Sequence, residues 1–303
     1  VLELRQEICH FLKRKYQIEY DPKSEVLVTV GGSEAIDLMI RCLIEPGDEV
    51  LIPEPSFVCY KPCTELAGGV PVTIETKEEN NFCLTPDELR AHITPKTKLL
   101  ILPYPNNPTG GVLTKKDMEA IAEVLSETNI MVLSDEIYSA LRYDEEGHIP
   151  FSAIPGMRER TVVIDGFSKA FAMTGWRLGY AYGPAPIIKA MTKVHQYGIM
   201  SAPTTSQYAA IEALRSCDED VEEMRREYNF RRRYIVDGFR KMGLSCYEPM
   251  GAFYAFPCIA STGMTSEEFC EKLLMEQKVA VVPGTAFGKC GEGFVRCSYA
   301  YSV

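Results

Sequence analysis

The sequence predicts an α/β chain: a large domain built on a mostly parallel sheet, then a smaller α+β domain, the two linked by a long helix. Three observations lead there. From residue 26 to about 182, short and nearly continuous apolar runs alternate with amphipathic stretches, as in βα units whose strands are covered on both faces. After Pro186 the alternation stops, and residues 218–242 form one charged stretch with Val221, Met224, Tyr228, Ile235 and Phe239 on a single stripe. Beyond Gly243, short strand-like runs return around one further helical segment. A length of 303 residues suits about two domains, expected at 1–227 and 228–303.

Element by element, the chain opens in a helix with Leu2, Ile8, Phe11 and Leu12 on its apolar face. Strands are expected at 26–30, 49–52, 70–74, 98–102, 130–134, 161–165 and 178–182. Helices are expected at 34–43, 57–66, 87–92 and 115–126, then at 187–195 and 205–214. The smaller domain should hold strands near 244–247, 253–256, 279–282 and 294–298 and a helix at 266–276. The Arg231-Arg232-Arg233 run could be an anion patch, but its acidic neighbours favour a solvated helix face. Val1 without a methionine, and Ser302-Val303 directly after a strand, read as cut ends.

Composition excludes several classes. With 32 basic and 42 acidic residues the net charge is −10, which argues against a nucleic-acid binder. No apolar run approaches the ~18 residues of a membrane span. The 11 cysteines contain no CxxC pair, Cys59 and Cys63 being the closest, and read as reduced thiols of a cytoplasmic protein. Four scattered histidines make a histidine-based metal site unattractive, and no metal is expected.

Four segments carry chemistry. Gly31-Gly32-Ser33-Glu34-Ala35 joins a strand to a helix start, where exposed N–H groups can bind an anion, though an ordinary tight turn would look the same. It lacks the Gly-Lys-Ser/Thr ending of a nucleotide-binding P-loop. Asn106-Asn107-Pro108-Thr109-Gly110 follows a parallel strand at its carboxyl end, where open α/β sheets bind ligands. Asp135-x-x-Tyr138 ends the next strand; the carboxylate could face a ligand cation, hold a metal or cap a helix. Finally, Ser168-Lys169 lies in apolar surroundings, with Arg177 eight positions on beside the chain's only tryptophan. A lysine there is costly unless its pKa falls, which is what a Schiff-base lysine requires, because only the neutral amine is a nucleophile.

In order along the chain, these segments resemble the pyridoxal-phosphate-dependent aminotransferases of the aspartate-aminotransferase fold, a likeness strengthened by Glu45–Val50 and Pro53-Glu54-Pro55-Ser56-Phe57. The resemblance implies pyridoxal 5′-phosphate as cofactor, with amino acids and 2-oxo acids as substrates. It implies catalytic roles for Lys169, Asp135 and Tyr138: Lys169 binds the cofactor covalently and shuttles a proton, and Asp135 pairs with the pyridine nitrogen. Tyr138 and Asn107 would bond the ring's phenolic oxygen, and Phe57 would stack on the ring. Gly32, Ser33, Ser168 and Arg177 would hold the phosphate, while Arg296, with Asn107, would bind the substrate carboxylate.

The resemblance further implies a homodimer with shared active sites, the stretch 199–205 being a candidate to reach across, and an N-terminal segment and a C-terminal helix outside these residues. One departure is Gly166, where the family often carries a phosphate-binding serine; a hydroxyl contact is lost there, not the activity. The stretch 197–203 also lacks the arginine that dicarboxylate-specific members supply to a partner. Competing readings are a C–S lyase on the same scaffold and the aminotransferase-like domain of a transcription regulator.

Overall fold

In the computed structural model, which describes residues 1–301, the apolar runs become strands β1 (Val26–Thr29), β2 (Glu49–Glu54), β3 (Val70–Glu75), β4 (Thr97–Leu102), β5 (Met131–Asp135), β6 (Thr161–Gly166) and β7 (Gly179–Tyr182). Ser302 and Val303, which entered the expectation of a cut C-terminus, lie outside the described residues. The seven strands form one sheet in the order β1-β7-β6-β5-β4-β2-β3. All neighbours are parallel except β7, which runs antiparallel to both β1 and β6. Alternate residues feed different cores: Leu51, Leu100 and Leu102 pack on one face, Val50, Ile52, Leu99 and Ile101 on the other. Burial of each such side chain contributes roughly 1.5–3 kcal/mol, so a sheet with two apolar faces stays covered on both.

The covering helices are α1 (Leu2–Tyr16), α2 (Gly32–Leu43), α3 (Tyr60–Leu66), α4 (Pro86–His92), α5 (Lys115–Ser126), α6 (Phe167–Ala170), α7 (Ala185–Gly198) and α8 (Thr204–Ser216). Capping boxes at Thr85 and Thr114 fix where α4 and α5 begin. Helix α3 starts at Tyr60, not at residue 57 as expected, because Pro62 lacks an N–H and fits only in a first turn. Phe57 is thereby left on the loop after β2.

Helix α9 (Asp218–Lys241) spans 24 residues, about 36 Å at 1.5 Å per residue, and leads to the second sheet. The expected division at 227/228 falls inside it. Arg232 corrects the reading of the arginine run as a solvated face: it is buried and bonded to Glu248 at 2.9 Å and to the Pro249 carbonyl at 3.2 Å. The second sheet, β8 (Tyr254–Ala255), β9 (Val282–Pro283) and β10 (Val295–Ser298), has the order β8-β10-β9 and is flanked by α10 (Ser266–Gln277). The strand expected at 244–247 is reduced to an isolated bridge between Cys246 and Pro257.

The carboxyl ends of β4, β5 and β6 share one side of the sheet, and Asn107, Asp135 and Lys169 follow from them. The connection after β4 is tied to the second sheet, since the Gly110 carbonyl accepts from both Met250 N (3.0 Å) and Gly251 N (2.9 Å). Among the described residues no helix is long and apolar enough to cross a membrane.

Candidate active site

A cavity of about 230 Å³ lies at those strand ends, and every residue for which the resemblance implies a catalytic or binding role lines it: Gly32, Ser33, Phe57, Asn107, Asp135, Tyr138, Ser168, Lys169, Arg177 and Arg296. One end is a turn of unusual tightness. Gly31 has φ 78°, its carbonyl accepts from Thr29 Oγ1 at 2.8 Å, and a Cβ on it would sit 2.8 Å from Arg177 Nη2. Helix α2 therefore begins with no side-chain cap, so its first N–H groups have no side-chain acceptor. Arg177 donates to the Thr174 carbonyl at 3.1 Å and has no carboxylate partner among the described residues. Free amides beside an unpaired guanidinium make an anion cup.

Gly166 shows why serine is missing there. It pairs with Gly179 across β6 and β7, and a Cβ on it would lie 2.9 Å from the Gly179 Cα. The close approach of two strands excludes the hydroxyl.

In the middle of the cavity, Asp135 is buried at the end of β5 and accepts from Tyr60 Oη at 2.7 Å and from Ile137 N at 3.2 Å. Burial raises its pKa to about 6, against the pull of these two donors. Tyr138 is buried on the following turn and shares a hydrogen bond of 2.9 Å with Tyr254. Lys169 Nζ stands 5.5 Å from the Phe253 ring centroid and 5.9 Å from that of Tyr138. Burial lowers its pKa, and the positive charges of Arg296 and Arg177 lower it further. No carboxylate pairs with it among the described residues.

At the far end, Arg296 on β10 is sandwiched between Tyr254 (4.5 Å) and Phe287 (4.8 Å). Its Nη1 donates to Asn107 Oδ1 at 2.9 Å, while its buried Nε has no partner. Sequence reasoning missed Tyr60, Tyr254 and Phe287. Tyr60 could be suspected only from its place three residues after Phe57; the other two had no local signal.

The fold and this cavity are those of an aminotransferase, and the chain belongs to the aminotransferases of class I and II, whose family model matches residues 1–302. It is an enzyme of amino-group transfer, in a family that depends on pyridoxal 5′-phosphate. The chain is 50% identical over 302 residues to an aspartate aminotransferase of Pyrococcus abyssi, covering 98% of this chain and 77% of that protein. It is 47% identical over 302 residues to aromatic-amino-acid aminotransferase 2 of Thermococcus litoralis, covering 99% and 78%. The crystal structure of an aromatic aminotransferase from Pyrococcus horikoshii superposes with a TM-score of 0.97 at 48% identity, over 100% of this chain and 82% of that one. The lyase and regulator readings find no support in these likenesses.

Proposed function

We propose that this aminotransferase binds pyridoxal 5′-phosphate in the cavity and moves an amino group between an L-amino acid and a 2-oxo acid. The observation that carries the reading is Lys169: a half-buried amine with lowered pKa and no acidic partner, lining one cavity with an anion cup and a buried carboxylate. When bound, the cofactor supplies an aldehyde that exchanges amino groups and a ring that accepts electron density from the substrate Cα.

The residues divide the work. Gly32, Ser33, Ser168 and Arg177 hold the phosphate, and Phe57 packs against the ring. Asp135, kept partly ionised by the Tyr60 hydroxyl, accepts from the ring N–H and favours the protonated ring. Asn107 spends its Oδ1 on Arg296, which leaves its amide N–H₂, with the Tyr138 hydroxyl, to donate to the ring oxygen. Lys169 would hold the cofactor through its amine, which the lowered pKa favours in the neutral form, and would move a proton at the substrate Cα. The guanidinium of Arg296, with its Nε unsatisfied, takes the substrate α-carboxylate as a fork.

The reading extends to a homodimer in the cytoplasm. Tyr197 at the end of α7 and Met200 just after it, at 84% and 78% exposure, support a second copy seated on this corner. All eleven cysteines are free thiols, as a reducing compartment would leave them. Lys169→Ala tests the central assignment. Borohydride should fix pyridoxal phosphate to the wild-type protein and not to the variant, and turnover should fall by orders of magnitude. A variant that turns over at the wild-type rate would sink the reading.

A further inference from the structure

The anion cup has a support outside the cavity. Its turn is made of two consecutive glycines, the residues that lose most conformational freedom on ordering, and no side chain caps α2. Glu34, in the first turn of α2, reaches back past the N-cap Gly31 and accepts from Val30 N at 2.5 Å, which ties the helix start to the end of β1. Its other carboxylate oxygen, Oε1, lies 2.7 Å from Nδ1 of His195, in the last turn of α7. His195 is 5% exposed and does not line the cavity. With Glu34 as acceptor, Nδ1 carries the hydrogen.

A carboxylate in the first turn of this helix is on its face unhelpful, because its charge opposes a phosphate bound at the same helix end. The histidine N–H resolves this by fixing the carboxylate towards Val30, before the turn, while Gly32 and Ser33 line the cavity. From this we infer that His195 is a positioning residue: acting through Glu34, it holds the Gly31–Ser33 turn in the geometry that grips the cofactor phosphate. The inference rests on the phosphate assignment made above.

The test compares the affinity of the apoprotein for pyridoxal 5′-phosphate with that for pyridoxal, which lacks the phosphate. The proteins are wild type, His195→Leu and His195→Asn, whose amide N–H₂ can replace the Nδ1 donor. His195→Leu should weaken pyridoxal phosphate about tenfold while changing pyridoxal less than about twofold, and His195→Asn should recover most of the loss. The ³¹P resonance of the bound phosphate should shift in the leucine variant and return in the asparagine variant. Should His195→Leu fail to fold, His195→Phe fills the ring's volume without the donor and makes the same comparison. Equal losses for both ligands, or no loss for either, overturn the inference. A wild-type protein that shows no preference for pyridoxal phosphate overturns the phosphate assignment itself, and the two failures are thus distinguishable.

Discussion

Tyr60→Phe removes a single hydroxyl from the proposed site and leaves the ring that packs α3 in place. Among the described residues that hydroxyl is the only side chain donating to Asp135, at 2.7 Å, and both groups are buried. A hydrogen bond to a charged group contributes ~1.5–3 kcal/mol, and each pKa unit corresponds to about 1.36 kcal/mol. Without the hydroxyl, the Asp135 pKa should rise from about 6 by roughly one to two units. At pH 7 the ionised fraction would fall from about nine-tenths to between about a half and a tenth. The affinity of the apoprotein for pyridoxal phosphate reads this directly, because the ring N–H seeks an ionised carboxylate. Measured from about pH 5.5 to 9, the acid limb should shift upward in the variant, and the two curves should converge at the alkaline end. Titration of the free cofactor cancels in the ratio of the two proteins. Coincident acid limbs, or a loss independent of pH, would refute the coupling between Tyr60 and Asp135.

Two further outcomes are expected. Arg296→Gln should raise KM for amino and 2-oxo acids by about a hundredfold, the cost of a charged fork, while sparing amines that lack a carboxylate; equal losses would make Arg296 merely structural. Burial lifts Asp165 to about 8, though Gly166 N and Ser139 Oγ donate to it. A carboxyl whose folded pKa is raised gives its full contribution to stability below about pH 4 and loses it as the pH climbs towards 8. Asp165→Asn should therefore lose less melting temperature than wild type between about pH 5 and 8, and parallel melting profiles would argue against the shift.

The parts of this protein legible in its sequence are those set by neighbouring residues. The parallel strands announce themselves because a strand buried on both faces is continuously apolar, and the Gly31-Gly32 and Asn107–Gly110 turns because glycine, proline and asparagine specify backbone locally. The partners of those residues are another matter. Tyr60 meets Asp135 across 75 positions, Glu34 meets His195 across 161, and Arg296 meets Asn107 across 189. No spacing encodes such contacts. Arg232 looked solvated because its own helix is acidic, yet the tertiary fold brings Glu248 and the Pro249 carbonyl to it. The second sheet was hardest to delimit, since β8 and β9 are two residues each and are held by distant pairings.

The order of strands in the large sheet also has a consequence for how the protein is made. β1 lies at the sheet edge and hydrogen-bonds to β7 alone, with Thr29 opposite Gly179. The Gly31-Gly32 turn follows directly from β1 and rests against that same glycine. An emerging chain has therefore long released β1, and must wait for roughly 150 further residues, before the strand has a neighbour. At about 5–20 residues per second the delay is on the order of 10–30 s. Over that interval β4, β5 and β6, paired in sequence order, can assemble first and set Asp135 in place. The anion cup closes only when β7 slots between the first strand and the sixth. On the proposed reading of the cup as the phosphate site, a nascent chain cannot grip the cofactor until the central sheet is finished, and cofactor capture would mark completion of the sheet.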